Sequence, residues 1–555
     1  MLGEEQILWD VVEEHLDEAE FLVEQWQSAR RSASYTLAEI VAGPEARLEA
    51  HVDGLQSSGP LALERVAWPV LEDGAEPPER VAAAALALLD GGDLRVLEVL
   101  DALGADQARE VERGGSGARL EVLAPPEPPE PIEDVDDGLP PEWVASTPEQ
   151  RAQRREADLE DIEQQLAMVD DDDERARLQG LRLVLAEEAS ADAEELAEPE
   201  VEVEADGGAA IEAEPEPDPR IEGLALALAL ASHPQLDDQL RARAAKADGP
   251  SLALLLGVCA DRGLHPGPAL ERGLLHDEPA VVQAALRAAA FGERTRLLAA
   301  VETHLLHRSP AVRLAALDTA ILWGSRAAWE LIGRAYGAPN AGPVRVWIAC
   351  LGDDRHAQAL VPLLDDEALR HDVLWALGFS GRVPAVEACL RWLDDDDQTT
   401  RRLAGEAVAA IVGLDPEDDT LWEQDGGTDL LSRGIEGDGP EEDEDELDAD
   451  LREAPEDELP LPNAEAIRER WGRLRGGFVA GQRYILGKPV GREGLGWALP
   501  MLSCRRVDVV ARELVARSHG VGRWPERVLA RRHQRDAEAL AELGRQAGSI
   551  HGDRR

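Results

Sequence analysis

The chain has little of what marks several protein classes. Among 555 residues there are four cysteines, and aromatic residues make up 4%. Cys259, Cys350, Cys389 and Cys504 are scattered and form no CxxC pair, which argues against a disulfide framework or a zinc site. The longest apolar run, Leu224–Ala231, is too short to cross a bilayer. The first residues lack the basic region and apolar run of a signal peptide. We therefore expect a cytoplasmic protein without membrane association.

Basic residues are also outnumbered, and lysine occurs only at Lys246 and Lys488. The formal net charge is −57. A surface of this sign repels DNA, RNA and anionic lipid, so nucleic acid is an unlikely partner. Because aromatic residues are scarce, the core must be built mainly from alanine, leucine and valine, which favours closely packed helices over a β-sandwich.

Internal repetition is the strongest positive signal. Residues Arg382–Leu414 read as an apolar helix, an acidic turn and an alanine-rich second helix that begins with two arginines. A similar sequence pattern occurs at Arg355–Ser380 and, more weakly, at Asp277–Ala290 and Ser309–Gly324. Self-similarity at about thirty residues is typical of helical repeats, in which each pair buries its apolar stripe only against its neighbours. The prediction is an all-α solenoid, an architecture that holds partners.

Changes of composition divide the chain into six parts. A helical N-terminal domain is predicted first, with a long helix over Glu5–Arg30 and a capping box at Thr36 and Glu39. Two acidic segments have too little apolar content to fold alone. The predicted map is an N-terminal helical domain (1–112), an acidic low-complexity insertion with a possible charged helix or hairpin (113–216), the repeat array (217–414), an acidic disordered linker (415–462), an Arg-rich helical cap (463–545) and a tail (546–555). Each acidic segment is a solvated tether or a binding segment for a basic partner, and protease should cut there first.

A set of charged residues recurs at equivalent positions of the repeats. Four arginines lie near the start of the second helices, and two aspartates lie in the turns before them. The set comprises Arg313, Arg345, Arg370, Arg401, Asp366 and Asp397. We expect the arginines to pair with turn acids such as these aspartates, as a structural ladder rather than a binding site. A row of anion-binding arginines is the alternative. An aspartate before a helix also favours N-capping.

No catalytic motif is present. The chain has no GxxxxGK[ST] loop, no HExxH motif and no GxSxG elbow, and Asp394–Asp397 lacks the ligand spacing of an EF-hand loop. We therefore predict no catalytic residue, no metal site and no cofactor. The arginines of the C-terminal region are interleaved with acids, which favours intramolecular or protein–protein contacts over contacts to nucleic acid.

Two resemblances add to this interpretation. The units at 355–380 and 382–414 resemble HEAT-like repeats of the short kind found in phycobilisome-lyase-like repeat proteins. The segments WDVVEEHLDEAEFLVEQWQSARRSASYTLAEI, LEAHVDGL and GQRYILGKPV are similar to an uncharacterised proteobacterial family of HEAT-repeat proteins, well represented in myxobacteria. This similarity spans residues 5–110, about 220–414 and about 463–535. It implies a HEAT-like solenoid inside the cell, and a possible place near type VI secretion genes, but no lyase activity.

Three functions remain open. The first is a non-enzymatic scaffold or adaptor whose repeat face, acidic segments or both hold protein partners of unknown identity. The second is an enzyme or modification factor with a pocket between the N-terminal domain and the array. The third is an accessory role in type VI secretion. The oligomeric state is not predicted.

Overall fold

The computed structural model of the protein describes residues 7–104, 218–423, 454–491 and 494–550. These residues are mostly helical. Within them, the strands are confined to one antiparallel hairpin, in which Tyr484–Ile485 (β1) pairs with Lys488–Pro489 (β2). None of the described helices combines the length and the apolar character that crossing a bilayer requires. The predicted insertion at 113–216 lies outside the described residues.

The N-terminal part begins with five helices. They are α1 (Trp9–Arg31), α2 (Leu37–Ile40), α3 (Ala46–Ser57), α4 (Pro60–Glu72) and α5 (Pro78–Asp90). The predicted capping box is confirmed, because the Thr36 hydroxyl accepts from the Glu39 N–H and the Glu39 carboxylate accepts from the Thr36 N–H. A π-helical turn, Val41–Glu45, joins α2 to α3, and a further helical stretch covers residues 96–104.

Thirteen further helices cover the predicted array. They are α6 (Pro219–Leu230), α7 (Leu236–Ala244), α8 (Gly249–Arg262), α9 (Ala269–Leu274), α10 (Pro279–Ala289), α11 (Arg294–Glu302), α12 (Pro310–Leu322), α13 (Arg326–Ala335), α14 (Gly342–Leu351), α15 (Asp354–Leu360), α16 (Glu367–Ser380), α17 (Val383–Cys389) and α18 (Gln398–Val412). Several begin with proline in their first turn, where its missing N–H costs no hydrogen bond. Others end on a left-handed glycine, such as Gly381 after α16.

Alternate helices pack directly on one another in two runs of the array, one from α8 to α12 and one from α14 to α18. Helix α8 packs against α10, α10 against α12, α14 against α16, and α16 against α18. The series extends into the N-terminal part, because α5 packs along α6. Gly223 permits this approach, since an added Cβ would lie 2.4 Å from the carbonyl oxygen of Pro78. The core therefore runs through helices that the sequence assigns to two domains.

Residues 454–550 complete the described fold with α19 (Ala464–Leu474), the hairpin, α20 (Cys504–Arg517) and α21 (Ala530–Ile550). The prediction of a cap at the end of the array fits only their first part. Helix α19 and the hairpin lie at the last repeats, whereas α20 contacts α1, α12 and α14, and α21 contacts α2. The reason is the apolar stripe of α20, which is buried along the array rather than at its end.

The ends of the predicted linker are packed rather than disordered. Trp422 forms an antiparallel bridge with Pro462, and its indole N–H donates to the carbonyl of Asp415 at 2.8 Å. Arg402 pairs with Asp457 at 2.7 Å. These contacts correct the boundaries of the linker, of which residues 424–453 lie outside the described part.

Candidate functional site

Helix α20 packs against α12 and α14, and its residues Arg505 and Arg506 reach α18 and α16. Its residues Cys504, Val507, Val510 and Ala511 are almost completely buried. Burial of one valine-sized side chain stabilises a fold by roughly 1.5–3 kcal/mol. A partner that displaced α20 would have to replace several such contributions, so this helix is part of the core rather than a loosely held strap.

A buried cluster of charges fixes α20 beside α14 and α16. The Glu513 carboxylate is fully buried and accepts from Arg483 at 2.8 Å and from Arg517 at 2.7 Å. Arg483 also donates to the main-chain carbonyls of Cys350 and Phe379, at 3.0 and 2.7 Å. Burial alone would raise the pKa of Glu513, but the two guanidinium groups outweigh it and hold that pKa below its ordinary value. The carboxylate is therefore ionised and paired at neutral pH.

A second cluster joins α20 to α16 and α18. Glu406 of α18 accepts from Arg505 and lies 3.4 Å from Arg506. Arg506 donates to the carbonyl of Gly378 at 2.9 Å and stacks on the Phe379 ring at 4.2 Å. Desolvation lowers the pKa of Arg506 from its ordinary value, although an arginine stays protonated at neutral pH. Two of the C-terminal arginines therefore make intramolecular contacts, as their interleaving with acids predicts.

Asp318 makes a joint between three helices. Its carboxylate, on α12, accepts from the Trp347 indole of α14 at 2.8 Å and pairs with Arg512 of α20 at 3.1 Å. Near the other end of α20, the Asp508 carboxylate accepts from Arg30 of α1 at 3.1 Å. Helix α20 thus connects α1 of the N-terminal part to α12, which packs beside it.

Glu45 positions the last helix. It is buried, and it accepts from the Trp26 indole at 3.3 Å and from the backbone N–H groups of Ala530 and Arg531 at 2.5 and 3.1 Å. These N–H groups belong to the first turn of α21, where helix geometry leaves donors without intrahelical acceptors. A carboxylate from the N-terminal part therefore caps a C-terminal helix.

The predicted ladder arginines share a different contact. Arg313, Arg345, Arg370 and Arg401 each donate to a main-chain carbonyl in the turn before their own helix, namely those of Arg308, Tyr336, Leu364 and Leu393. Arg345 also pairs with Asp372 at 2.7 Å, and Arg401 pairs with Glu423. Among the described contacts, Arg370 and Arg401 do not pair with the two turn aspartates that we expected. Helix ends leave carbonyls without intrahelical donors, and these guanidinium groups satisfy some of them.

The two turn aspartates act as helix caps. Asp366 accepts from the Ala368 N–H at 3.0 Å, and Asp397 accepts from the Thr400 N–H at 2.9 Å. Partial burial would raise the pKa of Asp397, but hydrogen bonds from Thr400 and His371 lower it to about 2. The structure thus brings the six ladder residues to the joints between helices and not to one cavity.

The described cysteines and histidines form no cluster of metal ligands. All four cysteines are buried and unpaired, and burial raises the pKa of Cys259, Cys389 and Cys504 to about 12. Such thiols are protonated at neutral pH, and a protonated thiol is a poor nucleophile. Within the described residues, no three of the side chains that bind metals lie together as a metal site would require.

A cavity of about 530 Å³, which we call the Arg31 cavity, lies between α1, α16, α18 and α20. Its lining includes Arg31, His371, Trp375, Thr399 and Leu403. The lining carboxylates are neutralised by arginines, as in the pairs Arg30–Asp508, Arg345–Asp372 and Arg505–Glu456. The imidazole of His371 is held by Asp397 at 2.8 Å. The cavity offers groups for binding, but its lining includes no serine or cysteine beside a base.

The acids that organise these contacts do not stand out in the sequence. Glu45, Asp318, Glu406 and Glu513 lie in helical or turn segments that read as ordinary charged surface. One signal was present at Glu513, which interrupts the apolar spacing of Val507, Val510 and Leu514 with a charge on nearly the same face.

No family model matches the chain, and no curated protein matches it either.

Proposed function

We propose that the protein is a non-enzymatic scaffold or adaptor for other proteins, built as a HEAT-like solenoid. The observation that carries the proposal is the use of its charged side chains. The conspicuous arginines and acids of the repeats and of α20 cap helices and join elements, as Arg345, Asp397 and Glu513 illustrate. Because these side chains have structural roles, the proposed function depends on the outer surface of the fold. The sequential packing of alternate helices supports the solenoid arrangement.

The surface available for a partner is narrower than the repeats alone imply. Helix α20 packs against α12 and α14, so a partner that binds there would have to remove buried side chains such as Val507. The proposal therefore places partner contacts on the surfaces that α20 leaves open, including the flanks of the acidic segments.

Affinity capture followed by crosslinking tests the scaffold. Since lysine occurs only at Lys246 and Lys488, amine-reactive reagents are unsuitable, and a carboxyl-reactive crosslinker is needed. Full-length chain is incubated in native lysate, and an unrelated protein of similar net charge serves as the control bait. We expect proteins that are enriched over this control at 0.15 M salt, with crosslinks to defined positions. If the chain captured no protein beyond those captured by the control bait, the proposal would be refuted.

An enzyme or modification factor is a second candidate, and the Arg31 cavity favours it. The cavity gathers His371, Asp372, Glu456 and Asp508 within one concave volume. Because these groups are paired internally, they suit ligand binding better than proton transfer. Native mass spectrometry of purified full-length chain tests this candidate: a bound small molecule that Arg31→Glu releases supports it, and unliganded protein from several expression conditions counts against it.

A role as an accessory factor of type VI secretion is a third proposal, which rests on the family resemblance alone. Secretion genes beside the genes of close relatives would support it, and their consistent absence would remove it.

A further inference from the structure

A second cavity lies where the hairpin turn meets the end of α18. We call it the Leu486 pocket, and its volume is about 400 Å³. Its apolar walls are Leu414, Trp422, Leu459, Leu486 and Leu502. They come from separate stretches of the chain between residues 414 and 502. A volume of this size lies in the range of pockets that hold small ligands or a pair of side chains.

The mouth of the pocket is acidic. Exposed carboxylates of Glu39, Glu417 and Glu458 surround it. The two arginines in its lining are engaged elsewhere: Arg402 pairs with Asp457, and Arg506 binds the main chain of α16. Negative charge at the rim is therefore not neutralised from within, and Glu417 makes no ion pair among the described residues.

An exposed methionine completes the mouth. Met501 lines the pocket and is 59% exposed. A flexible thioether side chain adapts to apolar groups of different shapes and is common at surfaces that bind peptides. An apolar interior, an acidic rim and this methionine together fit a segment that presents an apolar side chain between basic ones.

The hairpin turn provides a further reason. Leu486 and Gly487 have φ angles of 47° and 74°, so both lie in the left-handed region of a two-residue hairpin turn. Asparagine is favoured over leucine at the first position. The N–H groups of the turn donate to the carbonyls of Ala410 and Ile411 and cap the end of α18, which any residue other than proline can do at position 486. The leucine side chain is thus used by the pocket rather than by the turn.

We propose that the Leu486 pocket is a docking site for a basic segment of a protein partner. A leucine-like side chain of the partner fills the pocket, and flanking arginines or lysines pair with Glu39, Glu417 and Glu458. The inference rests on the proposed scaffold function and deepens it by naming the chemistry of the partner. In the sequence, residues 424–453 follow Glu423 and contain thirteen acidic residues and two arginines. The net negative charge of the chain favours encounter with a basic partner.

Fluorescence anisotropy with the full-length chain and three labelled hexapeptides tests the site. The peptides are Arg-Arg-Leu-Leu-Arg-Arg, Arg-Arg-Ser-Ser-Arg-Arg and Ser-Ser-Leu-Leu-Ser-Ser. At 0.15 M salt, weak attraction of any basic peptide to a chain of net charge −57 is largely screened. We expect the first peptide to bind at least about tenfold more tightly than the other two, since burial of two leucines adds to the ionic contacts.

Variants assign the binding to the pocket. Leu486→Asn suits the turn but removes an apolar wall. It should weaken binding of Arg-Arg-Leu-Leu-Arg-Arg at least about fivefold without affecting binding of Arg-Arg-Ser-Ser-Arg-Arg. Glu417→Lys should weaken both basic peptides. Glu98→Lys makes the same charge change at an exposed residue outside the pocket and should change neither. If Leu486→Asn does not fold, as judged by circular dichroism, the exposed substitution Met501→Ser takes its place.

Three results would overturn the inference. The first is equal affinity for Arg-Arg-Leu-Leu-Arg-Arg and Arg-Arg-Ser-Ser-Arg-Arg, and the second is wild-type affinity in Glu417→Lys and Met501→Ser. The third is a concentration-dependent dimer that these variants abolish, which would assign the pocket to a second copy of the chain. A failed peptide test with a successful capture experiment would move the partner site elsewhere and leave the scaffold in place. Peptide binding without any captured partner would support the pocket as a binding site but refute the proposed scaffold function.

Discussion

Replacement of Glu513 by glutamine should strongly destabilise the packing of α20 against α14 and α16. Glutamine has nearly the same shape as glutamate but no charge. The variant leaves Arg483 buried among the carbonyls of Cys350 and Phe379 without its counter-ion. Removal of one partner of a buried ion pair typically costs about 3–5 kcal/mol, because the remaining charge is desolvated without compensation.

The geometry supports this magnitude. Two unit charges about 4 Å apart attract by about 4 kcal/mol at an effective dielectric constant of 20. Glu513 is fully buried and Arg483 is 7% exposed, so solvent screens the pair little. A loss of this size is a large fraction of the roughly 5–15 kcal/mol that stabilises a typical domain. The double variant Glu513→Gln/Arg483→Met should recover part of it, because it removes both charges.

Urea unfolding and hydrogen exchange measure the effect. We expect a lower urea midpoint for Glu513→Gln and a selective loss of amide protection in Cys504–Arg517. Glu330→Gln is the control, because Glu330 pairs with Arg326 on an exposed helix surface where water screens the interaction. If the two single variants had the same midpoint and the same exchange pattern, the claim that this pair holds α20 would be refuted.

Three further predictions concern single positions. Burial and nearby arginines lower the folded-state pKa of His533 well below 6.5, so the unfolded chain binds more protons than the folded one. The unfolding free energy should therefore fall by up to about 1.4 kcal/mol for each pH unit below pH 6.5. His533→Phe keeps the ring stack on Trp524 and should remove this pH dependence in urea titrations. Asp397→Ala should cost about 1 kcal/mol by thermal unfolding through loss of an N-cap, whereas Asp397→Asn retains most of the cap. Gly381→Ala should lower the melting temperature, because its φ is 66° and a Cβ would lie 2.3 Å from the Tyr484 carbonyl oxygen; Gly333→Ala, with no atom near the added methyl, should raise it instead.

Much of the local structure could be predicted from the sequence. The predicted helix over Glu5–Arg30 corresponds to Trp9–Arg31, and the predicted capping box at Thr36 and Glu39 is present. These successes share a cause: apolar spacing, N-terminal prolines and side-chain caps act within one element, and their signal lies in adjacent residues.

The contacts that organise the candidate site could not be predicted in this way. Glu45 caps a helix that begins 485 residues later, and Arg30 pairs with Asp508 across 478 residues. A charge buried by a remote element looks in sequence like a charge exposed to water. The carbonyl contacts of Arg370 and Arg401 could not be predicted for a related reason, because a sequence shows side chains and not the main-chain carbonyls that helix ends leave unpaired.

The use of arginine in this chain limits where a partner can bind. An arginine that donates to carbonyls or stacks on rings inside the fold, as Arg483 and Arg506 do, cannot also recognise an external anion. The buried positive charge in turn consumes carboxylates such as Glu406 and Glu513. Carboxylates without an internal arginine, such as Glu417 at the Leu486 pocket, therefore remain as the free charge of the described surface. A partner selected by this surface should be basic, and the apolar pocket behind the rim gives it a fixed position.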